Sequence, residues 1–166
     1  MTLSEGDLAT AWADLCAGEG DVDLIALGSP HLSLDELEAL ASYVADERKH
    51  ENVRVVATLG GATRRKASSD ALEALDAFGV ELVEDTCWCM LTEPVVPPSN
   101  GALALTDSAK YAHYAPGLVG RRPRLTSMSS CVASAISGRF TSRRPAWLQS
   151  RRGFAAAARR VLLLVR

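Results

Sequence analysis

Two thiols, Cys87 and Cys89, stand two positions apart just past an apolar run, Val80 to Val83, that reads as a buried strand. Open α/β sheets take their ligands beyond the carboxyl ends of the strands, so the pair sits where chemistry is expected. Cys-x-Cys alone is a weak metal signal, because structural zinc sites more often space their cysteines by two to four residues. The plainer alternative is a core cysteine beside a rigid loop. Pro94, Pro97 and Pro98 follow and predict an extended segment without helix.

Other candidate groups also fall at strand ends. His31 closes Gly28-Ser29-Pro30-His31, between a strand and a helix start that would suit a carboxylate. Leu59 to Lys66 places two glycines and three basic residues after a strand, so backbone N–H groups and charge there could cradle an anion. The pattern is neither a P-loop nor a dinucleotide fingerprint, and a solvated basic turn is the alternative. Lys110 follows Asp107 and Ser108 and could hold a carboxylate, or stand simply as an exposed lysine. Cys131, near a helix start, is expected to have a lowered thiol pKa, which favours metal ligation; a buried helix cysteine is its alternative. Cys16 reads as a small core residue.

The elements that must position these groups alternate. Residues 4–17 predict a helix with Leu8, Ala11, Trp12, Leu15 and Cys16 on one face. Asp23 to Leu27 is a strand, and Ser33 to Glu36 has the spacing of a capping box for a helix ending near Arg48. Val53 to Thr58 is a second strand, followed by a helix capped by Ser68 or Ser69 and closed by Gly79. After the Val80 strand and the prolines comes a fourth strand, Ala102 to Thr106. A short helix capped by Asp107 is expected to stop at Pro116 and Gly117. A basic connector over residues 118–125 then leads to a last helix capped by Ser127. Four alternations predict an α/β fold, a parallel sheet of about four strands flanked by helices on both faces.

With 166 residues, 48% hydrophobic and 23% charged, the chain suits one globular domain. No apolar run reaches the roughly 18–20 residues of a membrane span, so no membrane is expected. Met1 to Glu5 does not read as a signal peptide, and four cysteines without one point to a reducing cytoplasm. The net charge of −2 hides a division: all 20 acidic residues precede Ser108, and the basic residues from there on are mostly arginine. A nucleic-acid arm would need more stacking aromatics than Phe140, Trp147 and Phe154. A membrane-surface helix would need a cleaner apolar face. The favoured reading of residues 149–166 is a basic tail, non-native or disordered, of the kind that out-of-frame translation of a GC-rich gene produces.

Asp85-Thr86-Cys87, taken with Leu27 to Leu34 and Thr106 to Tyr111, resembles the aconitase X family. The branch it resembles more closely dehydrates cis-3-hydroxy-L-proline. The similarity runs from Thr2 to Leu148, so the resemblance implies that residues 1–148 are the C-terminal part of a longer catalytic domain with an aconitase-like three-layer fold. It further implies a hydro-lyase, in which a base removes the proton alpha to a carboxylate and a Lewis acid draws off the hydroxyl. That Lewis acid would be iron of an iron–sulfur cluster. On this resemblance Cys87 and Cys131 are cluster ligands, with a third from the part of the domain absent here. Ser29 and His31 contact substrate, and Ser108 and Lys110 are the catalytic residues. The family usually has Asn where this chain has Asp107, whose charge would pair with Lys110 and compete with an anionic substrate. The implied partners are a small-molecule hydroxy acid substrate, a small swivelling domain or subunit, and the missing N-terminal part of the catalytic domain. The fragment alone is expected to be inactive. The runner-up is a phosphomevalonate dehydratase large subunit, with Arg64, Arg65 or Lys66 on phosphate. A reading from another class is a non-enzymatic module that holds nucleic acid through its basic tail.

Overall fold

Ile25 and Leu27 of the central strand point to one side of the sheet, Leu24 and Ala26 to the other, and all four are buried. A strand apolar on both faces must be covered on both, which makes it the middle of a layered α/β fold. The structure, a computed structural model, describes residues 4–143. The readings made for residues 144–166, including the non-native tail and most of the nucleic-acid arm, lie outside the described residues.

In chain order the elements are α1 (Glu5–Leu15), β1 (Glu19–Leu32), α2 (Leu34–Val44), β2 (Arg54–Leu59), α3 (Gly61–Lys66), α4 (Ser69–Phe78) and β3 (Val80–Glu84). A single 3-10 turn at Trp88–Met90 precedes β4 (Leu103–Thr106), α5 (Ala109–Val119), β5 (Arg124–Leu125), α6 (Met128–Ser137) and β6 (Arg139–Thr141). The strands run in the order β3-β2-β1-β4-β5, all parallel, and β6 pairs antiparallel with the start of β1. The expected four parallel strands are therefore present, with two short strands added. Leu37, Leu40 and Val44 of α2, Leu75 and Phe78 of α4 and Cys131 and Ala135 of α6 cover one face. Tyr111 and Ala115 of α5, with Trp88, Leu91 and Val96 of the segment before β4, cover the other. Among the described residues no helix is long and apolar enough to cross a membrane.

Local chemistry set most boundaries. Ser4 and Ser33 each close a capping box, with Asp7 and Glu36 respectively, and Ser68, Ser108 and Ser127 cap α4, α5 and α6. Such a cap contributes about 1 kcal/mol. Gly79, Gly120 and Gly138 end their helices in the left-handed region. Six expectations are corrected. Ser108, not Asp107, caps α5, and the helix passes Pro116 to end at Gly120. Pro116 lacks an N–H and its ring crowds the carbonyl four residues back, a local cost set against the burial of Tyr111, Ala112 and Ala115 on the same helix. The basic segment after β2 forms the short helix α3 instead of an open turn. The proline segment is not simply extended: it turns at Thr92–Val96, where the Val96 N–H donates to the Thr92 carbonyl at 2.9 Å. No residue of α1 is buried, and Cys16 is half-buried instead of packed in the core. Trp12 and Cys16 instead line an open groove of about 540 Å³ with Leu125, Ser134 and Phe140.

Candidate active site at the β1–β4 crevice

The order β3-β2-β1-β4-β5 reverses between β1 and β4. Beyond β1 the chain turns into α2 on one face, and beyond β4 into α5 on the other, which opens a crevice at the carboxyl ends of these two strands. Gly28 to His31 and Asp107 to Lys110 form its walls. β1 continues through Gly28–Leu32 with a shifted register, so the expected free turn is strand-like. Gly28 has φ of +85°, and a Cβ there would lie 2.2 Å from the Thr58 carbonyl oxygen, so only glycine fits. The Thr58 hydroxyl donates to the Gly28 carbonyl.

Ser29 and Ser108 meet across the crevice. The Ser108 hydroxyl donates to the Ser29 carbonyl and accepts from the Tyr111 N–H at 3.1 Å. His31 is exposed, and its Nε2–H donates to the Thr86 carbonyl at 2.9 Å, which fixes the tautomer and tethers the chain just before Cys87. The two loops and the cysteine segment are thus joined into one rim.

Trp88 anchors that segment. It is 1% exposed, its Nε1–H donates to the Leu27 carbonyl at 2.6 Å, and its ring lies 4.9 Å from that of Tyr111. Cys87 and Cys89 on either side remain exposed, with the Cys89 thiol donating to the Cys87 sulfur at 3.0 Å. That hydrogen bond is the main reason the Cys87 thiol sits below its ordinary pKa, with Lys110 adding a smaller effect; Cys89 is pushed up by the same contact. Both sulfurs, Ser29, Lys110, Tyr111 and Tyr114 line a cavity of about 210 Å³. A neighbouring cavity of about 290 Å³ is lined by Gly28, Ser29, Glu36, Asp107, Ser108 and Lys110. Burial raises the Asp107 carboxyl, and Glu36 adds to the rise. Asp107 and Lys110 form no ion pair, contrary to the expectation from sequence.

Farther from the rim, two arginines hold the segment down. Arg54 donates to the carbonyls of Pro94 and Val95 while pairing with Glu81. Arg121, 3% exposed, pairs with Asp23 and donates to the carbonyls of Pro97 and Ala102. Sequence reasoning missed Trp88, Tyr111, Arg54 and Arg121 as supports of the site. A tryptophan between two cysteines at a strand end was the one available signal.

Cys131 sits elsewhere. It has no exposed surface and packs in the core on the α2 side of the sheet, whereas Trp88 between Cys87 and Cys89 packs on the opposite face. Burial, with Asp107 adding to it, pushes its thiol far up, the reverse of the lowering expected at a helix start. Among the described residues no three His, Cys, Asp or Glu side chains converge to hold a metal, so they do not by themselves supply a cluster's ligand set. Cys87 and Cys89 offer two thiols at the rim. The basic helix α3 is occupied as well: the Gly61 N–H donates to Asp85 at 3.0 Å, and Arg64 pairs with Glu84 at 3.2 Å.

Residues 22–137 match the family model of the aconitase X third domain. This chain belongs to the aconitase X family. It is 48% identical to a cis-3-hydroxy-L-proline dehydratase of Pseudomonas aeruginosa over 85% of this chain and 24% of that protein. Against the enzyme of the same name from Hypocrea jecorina the identity is 45%, over 90% of this chain and 26% of that protein. A phosphomevalonate dehydratase large subunit of Methanothermobacter thermautotrophicus is 37% identical over 72% of this chain and 29% of that protein. The solved aconitase X of Thermococcus kodakaraensis, in its holo-form, superposes with a TM-score of 0.63. That match covers 81% of this chain and 34% of the other at 23% identity, and it shows that the two share a fold. The chain spans about a quarter of the length of the curated dehydratases it matches.

Proposed function

We propose that this chain is part of an aconitase X hydro-lyase that dehydrates cis-3-hydroxy-L-proline in the cytoplasm. The observation that carries the reading is the contact of Ser29 with Ser108, because it gathers the Gly28–His31 turn and the Ser108–Tyr111 helix start at one crevice, with His31 tying in the cysteine segment. The identity of 48% to a dehydratase of that name supports the substrate class. Lys110, exposed at the first turn of α5, receives the substrate carboxylate, Ser29 lines the same cavity, and His31 meets substrate from the rim beside it. Ser108 acts from within the same turn, where its hydroxyl holds the two walls in register.

In this reading Cys87 would be a ligand of an iron–sulfur cluster, which when bound would supply the Lewis acid for the departing hydroxyl, and Cys131, the other expected ligand, would join it only after α6 moved its thiol out of the core. A third ligand, and the small domain that closes the site, belong to polypeptide beyond this chain. Residues 1–148 are then one part of the catalytic domain and are inactive without the remainder. The phosphomevalonate reading loses one of its phosphate-binding candidates in α3, because Arg64 pairs with Glu84.

Anaerobic reconstitution with iron and sulfide, read by visible absorption, tests the ligands. A cluster band that fades in both Cys87→Ala and Cys131→Ala is expected. A band that persists in either variant removes that cysteine from the assignment. Ligand-observed NMR tests the substrate: cis-3-hydroxy-L-proline should broaden with the parent and not with Lys110→Ala, and broadening by phosphomevalonate alone would reverse the choice.

A further inference from the structure

Cys89 has no part in the function proposed above, yet the structure builds it against Cys87. In a regular strand, residues two apart lie about 6.6 Å apart. That is near the outer limit of the roughly 4.4–6.8 Å Cα span that disulfides bridge. Here Cys87 is extended, with φ of −81° and ψ of 142°, and the 3-10 turn that begins at Trp88 shortens the span. The sulfurs stand 3.0 Å apart, so closing to a bond of about 2.05 Å takes a movement of about 1 Å. Trp88 between them is buried and anchored to Leu27, so the turn exists before any bond forms. Both thiols are exposed, whereas Cys16 is half-buried and Cys131 fully buried.

We propose that Cys87 and Cys89 are a reversible dithiol–disulfide pair, a modification site for a low-molecular-weight disulfide such as oxidised glutathione. The Cys87 sulfur attacks one sulfur of glutathione disulfide and releases one glutathione thiol. The Cys89 sulfur then attacks Cys87 in the mixed disulfide and releases the second. Two protein thiols are oxidised and one glutathione disulfide is reduced to two thiols. In the disulfide form Cys87 offers no thiolate to a metal; that consequence, unlike the pair itself, rests on the function proposed above.

The test treats the reduced, metal-free chain with oxidised glutathione, traps free thiols with N-ethylmaleimide and maps the peptides by mass spectrometry. The expected product has lost two hydrogen masses in the peptide bearing both cysteines, carries no glutathione, and is restored by dithiothreitol. Cys87→Ser and Cys89→Ser should each stop at a single glutathione adduct on the remaining thiol. A parent chain that carries glutathione on both cysteines, links to a second chain, or keeps both thiols free overturns the proposal. Iron and sulfide loading of the oxidised chain is read separately. Loading equal to that of the reduced chain would count against Cys87 as a ligand and leave the disulfide standing.

Discussion

The Ser108 hydroxyl donates to the carbonyl of Ser29, so one side chain both caps α5 and joins the ends of β1 and β4. Ser108→Ala removes both functions and leaves the Tyr111 N–H without its cap. The expected loss is about 1–3 kcal/mol, read as a lower urea midpoint with an unchanged slope. A loss within about 0.5 kcal/mol, the size of a surface substitution, would show that the contact does not hold the crevice.

Trp88 presents the two cysteines by burying itself between them. Trp88→Phe keeps most of the ring packing on Tyr111 but orphans the Leu27 carbonyl at this contact, and should cost about 1–3 kcal/mol. Alkylation of Cys87 and Cys89 in the folded chain should change in rate, while that of Cys131 stays slow.

Arg121 is a buried charge satisfied by Asp23 and two carbonyls. Arg121→Met leaves Asp23 without its partner and should cost about 3–5 kcal/mol. Adding Asp23→Asn removes the stranded charge and should recover part of that loss. Denaturant midpoints of the two single variants and the double variant decide this, and simple additivity would show that the pair is uncoupled.

The Cys131 thiol is held above its ordinary value of 9.0 by burial. In the unfolded chain this thiol ionises as the pH passes about 9, while in the folded chain it keeps its proton. The unfolded state then binds fewer protons, so stability contributed by this group is intact below that pH and declines as the pH rises above it. The urea midpoint of the metal-free chain should fall more steeply above pH 9 than that of Cys131→Ala. Parallel curves would show that the residue is not desolvated.

Much of the scaffold was legible from local chemistry. Apolar runs two-sided in burial marked β1 and β2, and serine caps and closing glycines marked the helices, because these signals act within a few residues of chain. The grouping of Ser29, His31, Ser108, Lys110 and Cys87 at one end of the sheet also followed, since parallel strands deliver their carboxyl ends to a common edge. The resemblance carried by three short motifs was enough to name the family.

What the tertiary structure decided is which of those neighbours touch. Cys87 and Cys131 carried the same expectation, yet one is exposed at the rim and the other buried on the opposite side of the sheet, because α6 turns its Cys131 face onto β1 and β4. Asp107 shares a cavity with Lys110 without pairing to it, and in α3 Arg64 meets Glu84 and the Gly61 N–H meets Asp85 from the end of a different strand. Each of these outcomes depends on the register between elements distant in sequence. Local propensity and spacing set what each segment becomes, and the packing of the sheet sets the solvent exposure and charge that its side chains experience.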